Sequence, residues 1–235
     1  MNVLLLFQQA TGQPPVITEN LAPLFPTEAQ INILDLAQKG GWIMVVLGVL
    51  SVIALFIFIQ RFIIIKRVNK NDEGFMNRIR DYIHDGKIDS AINLCRKTDN
   101  PSARMIETGI SRLGRPMNDV LVAIENVGNI EVAKLEKGFS VLATIAGGAP
   151  MIGFLGTVTG MVRSFFAMAN AGTNVDITLL SGGIYEALVT TVGGLIVGII
   201  ALFGYNYLVA QVDNVVNNLE SQTMEFMDLL NEPAT

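Results

Sequence analysis

With 235 residues, 51% of them hydrophobic and only 16% charged, the chain falls well short of the charged share of about a quarter that is usual in soluble domains. The deficit is concentrated in three long segments almost free of charge, which excludes a single water-soluble core and points to an integral membrane protein with one soluble region. The net charge of −5 does not suggest nucleic-acid binding, and the single cysteine, Cys95, excludes an internal disulfide and a cysteine metal cluster.

Residues 1–40 read as an outer arm. The opening MNVLLLFQQA has an apolar run of only Val3–Phe7 with no basic residue before it, too little for a secretory signal. The first long apolar helix is therefore expected to act as an uncleaved anchor. Within the arm, INILDLAQ (31–38) has the pattern of a short interfacial helix. Span one is expected at 41–65, with Gly40 and Gly41 at its start and Trp42 as an interfacial anchor.

Residues 66–137 read as a cytoplasmic helical domain. Phe75, Ile79, Tyr82 and Ile83 have helical spacing, and Gly86 can end that helix. Asp89 is expected to cap a second helix carrying Ala91, Ile92 and Cys95. Asn100-Pro101 is a cap and first-position pair for a third, with Met105, Ile106, Ile110 and Leu113 on one side. From about Asn118 the pattern Val120, Ile124, Val127, Ile130 runs on without a clear breaker, so one helix to about Met168 is expected. Its membrane part, span two at 138–168, is uncharged from Gly138 to Val162, 25 residues against the roughly 20 a crossing needs. A short polar loop, ANAGTNVDI (169–177), turns the chain back into span three at 178–210, where Glu186 is the only charge. The tail, 211–235, continues a helical stripe through Val212, Val215, Val216, Leu219, Phe226 and Leu230, so paired helices should project from the membrane as a bundle that self-associates.

Of the 16 Lys and Arg, 13 lie between Lys66 and Lys137, which puts that region in the cytoplasm and the N-terminus outside. Three crossings then put the C-terminus inside.

Several residues carry candidate roles. Gly153, Gly156 and Gly160 on span two and Gly194 and Gly198 on span three form small-xxx-small patterns suited to close helix packing. Each of Thr157, Thr190 and Thr191 either bonds its own helix or a neighbour, or belongs to a hydroxyl layer facing a shared cavity. With the hairpin centred near Asn174, residue i of span two lies level with residue 348−i of span three, which matches Thr157 to Thr191. For Glu186, an intramembrane carboxylate costly to bury, three readings stand open: a pore role, a position at the outer rim, or an ion pair with Arg163 that fixes the hairpin. His84 reads as a surface residue and Cys95 as a small buried apolar one. No phosphate loop, zinc spacing or nucleophile–base arrangement occurs, so neither catalytic residues, a metal nor a cofactor is expected.

Residues 138–208 carry a resemblance. LATIAGGAPMIGFLGTVTGM followed by SGGIYEALVTTVGGLIVGIIALFGYNYL contains the ordered set AP–x–x–G–x–x–GTV–x–G, EAL–x–x–T–x–x–GL and YN. It resembles the MotA/TolQ/ExbB proton-channel family, most closely the ExbB branch, and GKIDSAINLCRKTDNPSARMIETGI is similar to that family's cytoplasmic region. Thr159 departs from the Trp common in GTVWG, and Arg163 stands where the family commonly has a neutral or weakly basic polar residue. The resemblance implies an all-α inner-membrane protein with three spans, forming a pentameric ring around an ExbD- or TolR-like single-span partner that bears the proton-carrying Asp. It implies that Thr157 and Thr191 line the facing surface, with Thr190 beside them, and that Glu186 matters to the same pathway. The implied role is to drive a TonB-like protein for outer-membrane transport. A TolQ-like envelope motor is the alternative, followed by a flagellar-type stator or a non-conducting scaffold.

Overall fold

In the computed structural model, residues 40–69, 74–170 and 177–231 are described. The outer arm to residue 39, its short helix at 31–38 and most of the hairpin loop lie outside them. The described residues form seven helices and no strands.

Helix α1, Gly41–Val68, is apolar on nearly every side. It buries one stripe, Ile43, Leu47, Ala54 and Ile65, and leaves Val45, Val52, Phe56 and Ile63 exposed. An apolar helix with an apolar exposed face belongs in lipid. Lys66 and Arg67 fill its last turn, where positive charge complements the helix dipole.

Four shorter helices follow: α2 (Phe75–His84), α3 (Ile88–Lys97), α4 (Pro101–Ile110) and α5 (Met117–Leu135). Gly86, at φ +70°, ends α2 as expected. Its N–H bonds the Ile83 carbonyl at 3.0 Å and that of Lys87 bonds the Tyr82 carbonyl at 2.8 Å, the two bonds of a Schellman cap. Asp89 does not cap α3. Lys87 holds the cap position, and Asp89 lies in the first turn, where its charge still favours the helix start. Asn100 does precede α4 with extended backbone and Pro101 opens the helix, although the Asn100 side chain makes no capping bond.

The single helix expected from Asn118 to Met168 is broken. α5 ends at Leu135 and α6 runs Phe139–Asn170. Gly138 sits at φ +92°, which a side chain would oppose, and the bend brings it against Ile57 and Arg61 of α1. The break lets α5 tilt away from α6 while Phe139 is buried edge-on to Tyr205 at 6.1 Å.

Helix α7, Ile177–Asn231, has 55 residues, about 80 Å at the usual rise. The hydrocarbon core is about 30 Å thick, so α7 crosses it and continues well beyond. Its far end packs into the α2–α5 bundle. Phe226 is fully buried and fills the space left by Gly109, where a Cβ would lie 2.6 Å from its ring. α1, α6 and α7 are the three helices long and apolar enough to cross a membrane. One continuous buried cluster runs from Ile43 and Leu47 to Phe226.

Candidate functional site

The α6–α7 seam is built on glycine. A Cβ on Gly153 would lie 2.8 Å from the Thr190 carbonyl oxygen and 3.2 Å from the Thr191 Cα, and one on Gly160 would lie 3.1 Å from the Ala187 Cβ and the Gly183 carbonyl oxygen. Gly198 takes the Pro150 ring, 2.6 Å from where its Cβ would stand. Such spacing lets two backbones touch, which is how membrane helices associate without a hydrophobic drive. Pro150 sits inside α6 without breaking it; its ring fills a hollow that only glycine leaves.

Across the seam Gly153 meets Thr191 and Gly194, Gly160 meets Ala187 and Gly198 meets Pro150. Thr191 reaches the carbonyl of Gly153, which lies one helical turn along α6 from Thr157 and in a helix points towards it.

The hydroxyls differ in what they touch. Thr191 Oγ1 donates across the seam to the Gly153 carbonyl at 3.1 Å, while Thr157 Oγ1 donates within α6 to Phe154 at 2.6 Å. Both residues are half-buried. Thr190 Oγ1 donates to Ala187 at 2.8 Å, and Thr190 is almost fully buried against Gly156, so it lies inside the seam rather than on an open face. In each case the hydroxyl proton is spent on a carbonyl, leaving the oxygen lone pairs to accept a further hydrogen bond where space allows.

At the other end of the seam, Glu186 Oε1 lies 3.8 Å from Arg163 Nη1. The same oxygen would be 2.5 Å from a Cβ on Gly41, whose φ is +62°. The carboxylate thus sits where α1 begins and where α6 and α7 approach their connection, with Arg163 in ion-pairing range. The Gly41 contact was not foreseen, although the Gly40-Gly41 pair ahead of Trp42 was the available signal. Glu186 is the one carboxylate among the described residues of 41–65, 138–168 and 178–210.

Residues 97–221 match the family described as the MotA/TolQ/ExbB proton channel family. The chain belongs to this family. It is 25% identical over 190 residues to a putative biopolymer transport protein, an ExbB homolog, of Methanothermobacter thermautotrophicus, covering 80% of this chain and 67% of that one. It is 30% identical over 218 residues to the putative biopolymer transport protein ExbB-like 1 of Synechocystis sp., covering 87% and 78%. It is 27% identical over 221 residues to the Tol-Pal system protein TolQ of Haemophilus influenzae, covering 88% and 96%.

The MotA/TolQ/ExbB match extends from the end of α3 to well into the α7 projection, so it takes in the helical bundle as well as the seam. That bundle contains an ionic network that the sequence did not disclose. Glu131, buried on α5, accepts hydrogen bonds from Arg104 Nη2 and Lys134 Nζ, both at 2.7 Å, and Arg104 Nη1 reaches Asp99 at 2.9 Å. Burial works to raise the Glu131 carboxyl, but the bonds from Arg104 and Lys134 outweigh it and hold the group below its ordinary value. Arg61 of α1 donates to the Lys134 carbonyl at 3.1 Å and so ties the first span to the same corner. Nearby in the bundle, burial pushes the Cys95 thiol up to about 12, leaving it an inert core residue.

Proposed function

We propose that this chain is an ExbB-like subunit of a proton-driven motor in a bacterial inner membrane. Its copies would form a pentameric ring around an ExbD- or TolR-like helix. The observation that carries this reading is the α6–α7 seam, in which half-buried Thr157 and Thr191 accompany a single carboxylate, Glu186, across one hairpin. Hydroxyls whose protons are committed to carbonyls can accept a hydrogen bond from a protonated group but cannot themselves hold a proton at neutral pH. A partner Asp would supply the titrating group. Proton binding neutralises that Asp, which removes the cost of moving it past apolar wall, and release on the far side restores the charge. Coupled to rotation between ring and partner, this cycle would drive a TonB-like protein that energises outer-membrane transport. In this arrangement residues 1–40 form a periplasmic arm, 41–65, 138–168 and 178–210 cross the membrane, 169–177 form a short periplasmic loop, and 66–137 and 211–235 lie in the cytoplasm.

A TolQ-like role in an envelope-constricting Tol-Pal machine is the second reading. It is favoured by the match to a TolQ that spans 96% of that protein. Co-purification from the native host separates the two, since an ExbD-TonB set and a TolR-TolA set are different proteins. Reconstitution tests the shared part. The chain with its single-span partner should carry a proton current across vesicles that a partner Asp→Asn change abolishes, and the chain alone should not. Equal current from the chain alone would overturn the reading.

A further inference from the structure

We infer that the furrow between α1 and α7 binds one anionic phospholipid, its phosphate at Lys66 and an acyl chain running towards Ser51. Two neighbouring cavities form the furrow. The larger of the two, about 570 Å³, is lined by apolar groups including Phe58, Phe203 and Gly204, with Ser51 at its far end. The second, about 370 Å³, has a polar lining of Lys66, Asn69 and Gln211. Tyr207 lines both, and its ring lies 6.5 Å from Phe58 and 6.1 Å from Phe62, so an aromatic wall continues from one cavity to the next. Ser51, Phe58, Phe62 and Lys66 recur at helical spacing on α1, as do Gly204, Tyr207 and Gln211 on α7, so the two cavities follow one line along both helices.

Depth and charge select the occupant. The apolar stretch lies inside two helices fit to cross the bilayer, where water is absent and acyl chain is the abundant filler. At Gly204 the Phe58 ring packs onto the backbone, 3.0 Å from where a Cβ would stand, so the two helices lie close along this wall. The polar end sits where α1 leaves the hydrophobic stretch. Lys66 is exposed over the Phe62 ring at 5.8 Å and has no carboxylate in pairing range among the described residues. No Asp or Glu lines either cavity, and Lys66 is the one cation that does. The amides of Asn69 and Gln211 supply further donors to a phosphate. From Lys66 to Ser51 is about 22 Å of helix, and half a hydrocarbon core is about 15 Å, so a headgroup at Lys66 leaves room for one full acyl chain.

The full-length protein carrying Trp42→Phe and Tyr207→Trp tests this directly. Trp42 is the sole tryptophan and is exposed, so the new indole reports the furrow alone. The protein is placed in vesicles of equal phosphatidylcholine and phosphatidylglycerol, with one or the other brominated in its acyl chains. Quenching should show about a fivefold preference for phosphatidylglycerol, the selectivity one basic residue confers at a membrane surface. Adding Lys66→Gln should erase that preference while leaving quenching itself. Equal quenching by both lipids, or a preference that survives Lys66→Gln, would reduce the furrow to ordinary lipid contact. No quenching by either lipid would mean that a protein surface, such as a second copy of this chain, fills it. Each of these results overturns the assignment.

Discussion

Gly153 and Gly194 face each other at the closest approach of α6 and α7. A Cβ on Gly194 would stand 2.9 Å from the Gly153 Cα and 2.6 Å from the Ala149 carbonyl oxygen. Both obstacles are backbone and cannot rotate away, so Gly194→Ala must push the helices apart. The expected cost is about 1–3 kcal/mol, the usual range for overpacking, read as a lower Tm of the purified assembly. Gly147→Ala and Gly148→Ala are the contrast, because nothing in this chain lies within 4 Å of their added carbons. They should leave Tm unchanged or raise it. Similar losses at all three sites would show that general backbone freedom, not the seam, explains the glycines.

The three spanning helices and the long α7 projection were legible in the sequence because charge depletion and apolar periodicity are local signals. The break before α6 was not. Gly138 looked like one more membrane glycine, and only the approach of α1 at Ile57 makes its positive φ necessary. The chemistry divides along the same line. Thr157, Thr191, Arg163 and Glu186 could be named from residue type and span membership. Their hydrogen-bond partners could not, since Thr191 reaches across the seam to Gly153 while Thr157 bonds within α6. The Arg104–Glu131 bond joins residues 27 apart in the chain through the packing of α4 on α5, and no local pattern announces it.

Arg163 and Glu186, 3.8 Å apart with Arg163 largely exposed, form a pair whose value depends on its surroundings. In water it would be worth under about 1 kcal/mol, and more at a membrane rim where solvent screening falls. If the pair fixes the hairpin, Arg163→Ala strands a half-buried carboxylate and lowers Tm. Adding Glu186→Gln removes the stranded charge and should recover most of the loss. A normal Tm for Arg163→Ala alone would leave the pair with no structural role, and Glu186 with a pore role or a position at the outer rim.

Glu131 links bundle stability to pH with a definite sign. Its folded carboxyl is held below the unfolded value of about 4.3. Its contribution is therefore complete above that value and is lost as pH falls through the folded pKa. Glu131→Gln should cost about 1.5–3 kcal/mol at pH 7, the range for hydrogen bonds to charged groups. The gap in Tm between parent and variant should then stay constant above the unfolded value of about 4.3 and close as pH falls below it. A gap that stays constant on acidification below that value would assign the loss to shape rather than charge.

The hydroxyl layer is tested by removing hydroxyls without changing volume. Thr157→Val deletes only a bond within α6, and Thr191→Val deletes the cross-seam bond to Gly153. A bond of that kind is worth about 0.6 kcal/mol between membrane helices, so the double variant should still assemble with a Tm close to the parent. What it loses is the pair of oxygen acceptors. A protonated partner carboxyl crossing that level would then meet only methyl groups and pay its desolvation without compensation, at about 1–3 kcal/mol per unmet polar group. Proton current and energised transport should fall by at least tenfold in the double variant, with each single variant intermediate. Unchanged current with an intact assembly would show that protons pass elsewhere and that these threonines serve packing alone.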